Sequence, residues 1–176
     1  KKIKYINALL KVGFDTLDFG SFVSPKAIPQ MADTKEVISR LQIPNSHSKL
    51  LAIVANLRGA EEASAFDAIR YLGFPFSVSE TFQQRNANSS IAESLKRVEQ
   101  IQTLCLKKEK QLVVYLSMGF GNPYGDPYNE DIVFQWIDKL TALEIGIISL
   151  ADTVGLAAPE QIYSMTKYLI QSLPHI

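Results

Sequence analysis

The chain has 176 residues, with 18 Lys and Arg balanced by 18 Asp and Glu, two His, one Cys and 47% hydrophobic residues. This balance excludes intrinsic disorder, whose signature is low hydrophobicity with high net charge, and leaves no electrostatic footprint for nucleic acid or an anionic membrane. The lone Cys105 excludes a disulfide framework and points to a reducing, cytoplasmic setting, and no apolar run reaches the roughly 18–20 residues that span a bilayer.

Taken in order, Tyr5, Ile6, Leu9 and Leu10 make a helical stripe closed by Gly13. Residues 15–19 alternate as a strand, with Thr16 and Asp18 on one face and Leu17 and Phe19 on the other. After a loop over 20–32, Asp33 and Glu36 have capping-box spacing, which predicts Asp33 as the N-cap of a helix carrying Val37, Ile38 and Leu41. Residues 49–55 form an apolar strand, 61–68 a short helix, and 70–74 a strand expected to stop at Pro75. Ser90 and Glu93 form a second capping box, opening a helix that buries Ile91, Leu95, Val98, Ile101 and Cys105. A strand over 111–116 leads into a loop over 118–128 rich in Gly, Pro and Tyr. A helix follows over 130–143, with Val133, Trp136, Ile137 and Leu140 on one side, then a strand over 145–150. Pro159 suits the first position of a last helix carrying Ile162, Met165 and Leu169.

Alternating strands and helices imply a parallel α/β sheet, either open and doubly wound or closed as a barrel. A dinucleotide fold calls for G-x-G-x-x-G after its first strand; Gly119-Phe120-Gly121 lacks the third glycine and opens no helix, and no P-loop is present. The strands end in polar groups: Asp18 and Ser21, Asn56, Ser77, Tyr115 and Ser117, Ser149 and Asp152. Barrel enzymes place their chemistry at the C-terminal ends of their strands. The expected fold is therefore an incomplete TIM (β/α)8 barrel, with about five of the eight strands a closed barrel needs. Residues 1–176 read as one partial barrel domain, cut at both ends: Lys1-Lys2-Ile3-Lys4 already looks mid-helix, and Ser172-Leu173-Pro174-His175-Ile176 looks like a loop into another strand.

Several motifs carry a resemblance. Ser21-Phe22-Val23-Ser24-Pro25-Lys26, Pro29-Gln30-Met31-Ala32-Asp33, Asn56-Leu57-Arg58-Gly59, the run from Ser79-Glu80 to Glu93-Ser94, and Ser149-Leu150-Ala151-Asp152-Thr153-Val154-Gly155 closely resemble, in order, the hydroxymethylglutaryl-CoA lyase family. The resemblance implies a metal-dependent barrel enzyme of leucine degradation that splits 3-hydroxy-3-methylglutaryl-CoA into acetyl-CoA and acetoacetate. A cation would polarise the substrate oxygens, a base would take the hydroxyl proton, and the thioester enolate would be protonated after carbon–carbon cleavage.

Site residues follow from matching positions. Asp18 is the catalytic candidate, holding the cation's water or a neighbouring catalytic side chain. Ser21, Asn56, Tyr115, Ser149, Asp152 and Thr153 are the substrate-binding candidates. Bland alternatives stand beside them: Asn56 as a helix cap, Asp152 in an Asx turn, Tyr115 packing outward. The family's Arg-Asp, His-x-His and glycine-rich Cys motifs have no match here. The resemblance thus implies a divalent cation, Mg²⁺ or Mn²⁺, with ligands outside this segment and no metal ligand within it. Asp18 stands where the family has Glu, Gly20 where it usually has Thr, and Met118 and Asn122 where animal lyases have Cys. The expected partner is an acyl-CoA substrate, with a homodimer left open. Two other functions remain: an aldolase or synthase of the same barrel superfamily acting on another acyl-CoA or a 2-oxo acid, and a relative without catalysis that serves as a binding subunit.

Overall fold

The computed structural model describes residues 1–176, apart from the side chain of Asn45. Five strands, β1 (Thr16–Ser21), β2 (Lys49–Ile53), β3 (Ile69–Ser77), β4 (Gln111–Ser117) and β5 (Ile147–Leu150), lie in one sheet in the order β1-β2-β3-β4-β5. The registers of β1 with β2, β2 with β3 and β4 with β5 are parallel. A doubly wound sheet reverses its strand order at a switch point; here every strand follows its predecessor without reversal, which is the barrel pattern. Helices alternate with the strands: α1 (Lys2–Leu10), α2 (Thr34–Ser39), α3 (Leu57–Ser64), α4 (Glu80–Ala87), α5 (Ile91–Lys107), α6 (Glu130–Thr141) and α7 (Pro159–Ser172). The chain groups into two units, Lys1–Gly73 with Thr103–Gln111, and Phe74–Gln102 with Leu112–Ile176.

In the first unit, Leu50, Leu51 and Ala52 of β2 are at 0–3% exposure and pack beside the fully buried Ile69 and Leu72 of β3. Such a run suits a parallel strand covered on both faces. Two expectations are corrected here. Asp33 is the N-cap of α2 as expected, but the capping box does not form: its carboxylate instead pairs with the Lys2 ammonium, and Glu36 pairs with Arg40 one turn on. Cations within reach thus displace the reciprocal capping bonds. The helix expected over 61–68 instead spans Leu57–Ser64, because Asn56 supplies the cap: its Oδ1 accepts the Gly59 N–H at 2.9 Å.

β3 also runs on through Pro75 to Ser77. A proline breaks a strand only where the ladder needs its missing N–H, and the ladder with β2 has already ended at Gly73, whose carbonyl accepts from Val54. In the second unit the Ser90–Glu93 capping box forms as expected, with the Ser90 N–H donating to Glu93 at 2.9 Å and the Glu93 N–H to Ser90 Oγ at 3.1 Å. Val98 and Ile101 of α5 are fully buried, while Leu95 is only half-buried. A polar chain runs beneath α4 and α5: Gln83 accepts from the Ser77 N–H and donates to Ser94 Oγ, which meets Ser89 Oγ at 2.6 Å. Each buried polar group there has a partner, as burial requires.

Candidate functional site

The site candidates of the first unit sit at the ends of β1 and β2. Plain strand alternation puts residues three apart on opposite faces. The register of β1 shifts between Asp18 and Gly20, so that Asp18 pairs with Leu51 and Ser21 with Ile53. Leu51 and Ile53 share a face of β2, so this β-bulge brings Asp18 and Ser21 to one face as well. Asp18 is open to solvent on one side. Burial of the rest of the carboxyl pushes its pKa up to about 6, against the opposing effect of a hydrogen bond from the Gly20 amide. Ser21 is buried, and among the described residues its Oγ is the buried side-chain oxygen without a hydrogen-bond partner.

Asn56 is exposed and spends its side-chain oxygen on capping α3. The same turn explains the glycine of Asn56-Leu57-Arg58-Gly59. A Cβ at Gly59 would lie 2.3 Å from the carbonyl oxygen of Phe22, so only glycine lets α3 start against the backbone that follows Ser21.

In the second unit, Tyr115 of β4 and Ser149 of β5 are register partners, so their side chains leave the same face. Both are half-buried. Leu112, Val114 and Leu116 alternate with Tyr115 and are at most 2% exposed, which makes theirs the packed face. Asp152 and Thr153 follow β5 and are exposed. The Asp152 carboxylate accepts the N–H groups of Leu156 and Ala157 at 2.9 and 3.1 Å. Thr153 Oγ1 accepts the Met118 N–H at 2.8 Å. Asp152 therefore shapes its own loop, and Thr153 ties that loop to the end of β4.

Residues that sequence reasoning left as a generic turn have defined work here. Met118 adopts a left-handed conformation, with φ at 59°. Asn122 Oδ1 accepts from Tyr124 and Asp126, and its amide donates to the Asp126 carbonyl. The Asp126 carboxylate accepts from Ser79 Oγ, the Thr81 N–H and Thr81 Oγ1. These bonds, led by that from Ser79, hold it below the usual carboxylate range. Gly121 and Gly125 both lie at positive φ, and these two glycines were the sequence signal for tight turns in this loop.

Among the described residues no three His, Cys, Asp or Glu side chains converge as a cation site, so the residues present do not make up a divalent-metal centre. Cys105 is fully buried, and burial pushes its thiol up to about 12 despite the Lys110 charge nearby. No helix among the described residues is long and apolar enough to cross a membrane.

A family profile described as HMGL-like matches residues 1–176. The chain is 33% identical over 174 residues to the cytoplasmic 3-hydroxy-3-methylglutaryl-CoA lyase of Rattus norvegicus, covering 98% of this chain and 50% of that one. It is 32% identical over 173 residues to a hydroxymethylglutaryl-CoA lyase of Bacillus subtilis, covering 98% and 57%. Among solved structures, the HMG-CoA lyase of Acinetobacter baumannii in complex with coenzyme A and 3-methylmalate matches with a TM-score of 0.90 at 31% identity, over 98% of this chain and 55% of that one. The HMG-CoA lyase of Bacillus subtilis matches with a TM-score of 0.89 at 32% identity, over 98% and 57%. These neighbours are TIM barrels. The chain spans about half the length of the curated relatives it matches, so the barrel is incomplete in this segment.

Proposed function

The chain belongs to the HMGL-like family, and from that premise we propose that its protein is a carbon–carbon lyase cleaving 3-hydroxy-3-methylglutaryl-CoA to acetyl-CoA and acetoacetate. In that reaction the tertiary hydroxyl loses its proton and the bond to the α-carbon of the thioester breaks as the ketone of acetoacetate forms. The bond electrons pass to the thioester enolate, which takes a proton to become acetyl-CoA.

The observation that carries this reading is the unpartnered buried hydroxyl of Ser21, on the face of β1 that it shares with Asp18. Leaving such a group unpaired costs about 1–3 kcal/mol, and a substrate carboxylate oxygen would supply the missing acceptor. Asp18, with its pKa at about 6, takes up or releases a proton just below neutral pH and orients a neighbouring catalytic group. Tyr115 and Ser149 are assigned to substrate through the face they share. Asn56, Asp152 and Thr153 are assigned to it through the loops they order.

The coenzyme A in the Acinetobacter complex supports an acyl-CoA substrate. A divalent cation, Mg²⁺ or Mn²⁺, belongs to this reading with its ligands outside residues 1–176, as do a cytoplasmic location, a homodimer, and a place in leucine degradation. The full-length protein, supplied with the cation and 3-hydroxy-3-methylglutaryl-CoA, is expected to release acetoacetate. No release, together with turnover of an aldol substrate, would instead make it an aldolase of the same superfamily.

A further inference from the structure

We propose that Asp126 is a positioning residue: its carboxylate latches the 118–128 loop to the first turn of α4 and so fixes the loop that carries Asp152 and Thr153. The activity part of this inference rests on the lyase reading; the structural part does not.

Ser79 is the N-cap of α4, its Oγ accepting the Phe82 N–H at 3.1 Å, and the same hydroxyl donates to Asp126. The Thr81 N–H and Oγ1 donate to Asp126 at 2.9 and 2.8 Å. Three donors at the start of one helix thus converge on a carboxylate some 45 residues away in the chain. The helix end favours negative charge there, and hydrogen bonds to an ionised acceptor are stronger than neutral ones.

From Asp126 the coupling passes back along the loop. Asn122 brackets the Asp126 backbone from both sides, through its carbonyl and its amide. Beyond the latch, the Tyr128 hydroxyl donates to the Gly119 carbonyl at 3.0 Å and accepts from Gln161 of α7 at 3.1 Å. The Gly119 N–H donates to Ala151 at 3.1 Å, and the Met118 N–H to Thr153. The Asp126 carboxylate supplies the hydrogen-bonded link between this loop and α4, beside Tyr124, whose ring stacks on Phe82 at 6.5 Å and lies under the Arg85 guanidinium. Freed at Asp126, the loop loses the constraint that holds Gly119 against Ala151, and with it the placement of residues 151–157.

The test uses Asp126→Ala and Asp126→Asn in the full-length protein. Amide hydrogen exchange without substrate is expected to be at least tenfold faster across 118–128 and 151–157 in the Ala variant. The Asn variant, which keeps one acceptor oxygen, is expected to fall between it and the parent. In the acetoacetate assay the KM of the Ala variant should rise at least fivefold, with kcat within twofold of the parent. Unchanged exchange in either segment, or a fall in kcat with KM unchanged, overturns the proposal, the latter because it would mean only less folded enzyme. A parent without lyase activity would remove the lyase reading, and the exchange of 118–128 and 151–157 would then decide the latch by itself.

Discussion

Replacing Gly59 by Ala sets two opposing effects against each other. Alanine favours a helix over glycine by about 1 kcal/mol, and Gly59 lies in the first turn of α3. Against this, the new Cβ would sit 2.3 Å from the Phe22 carbonyl oxygen, where real Cβ contacts do not fall below 3.0 Å. Phe22 has little room to give: its N–H donates to the Ile53 carbonyl at 2.8 Å and its ring packs on Phe66 at 5.7 Å. Overpacking of this kind costs roughly 1–3 kcal/mol, towards the upper end when the obstacle is backbone. The net expectation is a loss of about 1–2 kcal/mol, which in urea lowers the unfolding midpoint by about 0.5–1 M. Because Phe22 directly follows Ser21, the variant should also bind substrate less well. Gly146→Ala is the control: nothing lies within 4 Å of the added methyl, so its stability should stay within about 0.5 kcal/mol of the parent. A Gly59→Ala protein as stable as the parent would show that the contact between α3 and the segment after β1 is slack, and the account of the Asn56–Gly59 motif would fall.

Three further outcomes are expected. Asp18 has a folded pKa of about 6, above its unfolded value of 3.8, so the folded protein binds the extra proton between those values. The stability of the parent relative to Asp18→Asn should therefore be greatest below about pH 4, decline towards about pH 6 and stay level above it, with solvent screening keeping the amplitude small; urea midpoints that differ by the same amount at every pH refute the shift. Ser21→Ala removes a buried hydroxyl that has no partner, so the fold should lose nothing or gain up to about 1 kcal/mol while the KM for 3-hydroxy-3-methylglutaryl-CoA rises; a destabilised variant with unchanged KM would mean that the hydroxyl serves the fold. Cys105 should stay unlabelled by iodoacetamide in the native protein and become labelled in denaturant, as mapped on the α5 peptide by mass spectrometry, because it is buried and its thiol is pushed up to about 12.

The fold was legible wherever hydrophobic period and capping chemistry coincided. Ser90 with Glu93, the buried stripe of α5 apart from Leu95, and Pro159 at the start of α7 formed as their spacing demanded. Failures came where a distant group competed with a local rule. Lys2, 31 residues away, took the Asp33 carboxylate from its capping role. Pro75 did not end β3 because the need for its N–H depends on where β2 stops, which lies outside the local sequence. At the site, the strand-end positions of Asp18, Ser21, Tyr115 and Ser149 could be read from alternating segments. Asp126 could not be singled out, since a Gly-Asp-Pro run looks like any turn until Ser79 and Thr81 arrive beside it.

The register shift in β1 also makes the site depend on parity. Were residues 18–21 to follow plain alternation, Asp18 and Ser21 would diverge, one to each side of the sheet, although neither side chain had changed. A change that keeps the chain length but abolishes the bulge therefore amounts to a functional double mutation, whereas deleting Phe19 would leave the two residues two apart, on one face of a regular strand. The same dependence gives a rule for recognising this arrangement in other parallel strands. A carboxylate and a serine at the strand end should be sought three residues apart, and the even spacing that an unbroken strand would suggest would miss them.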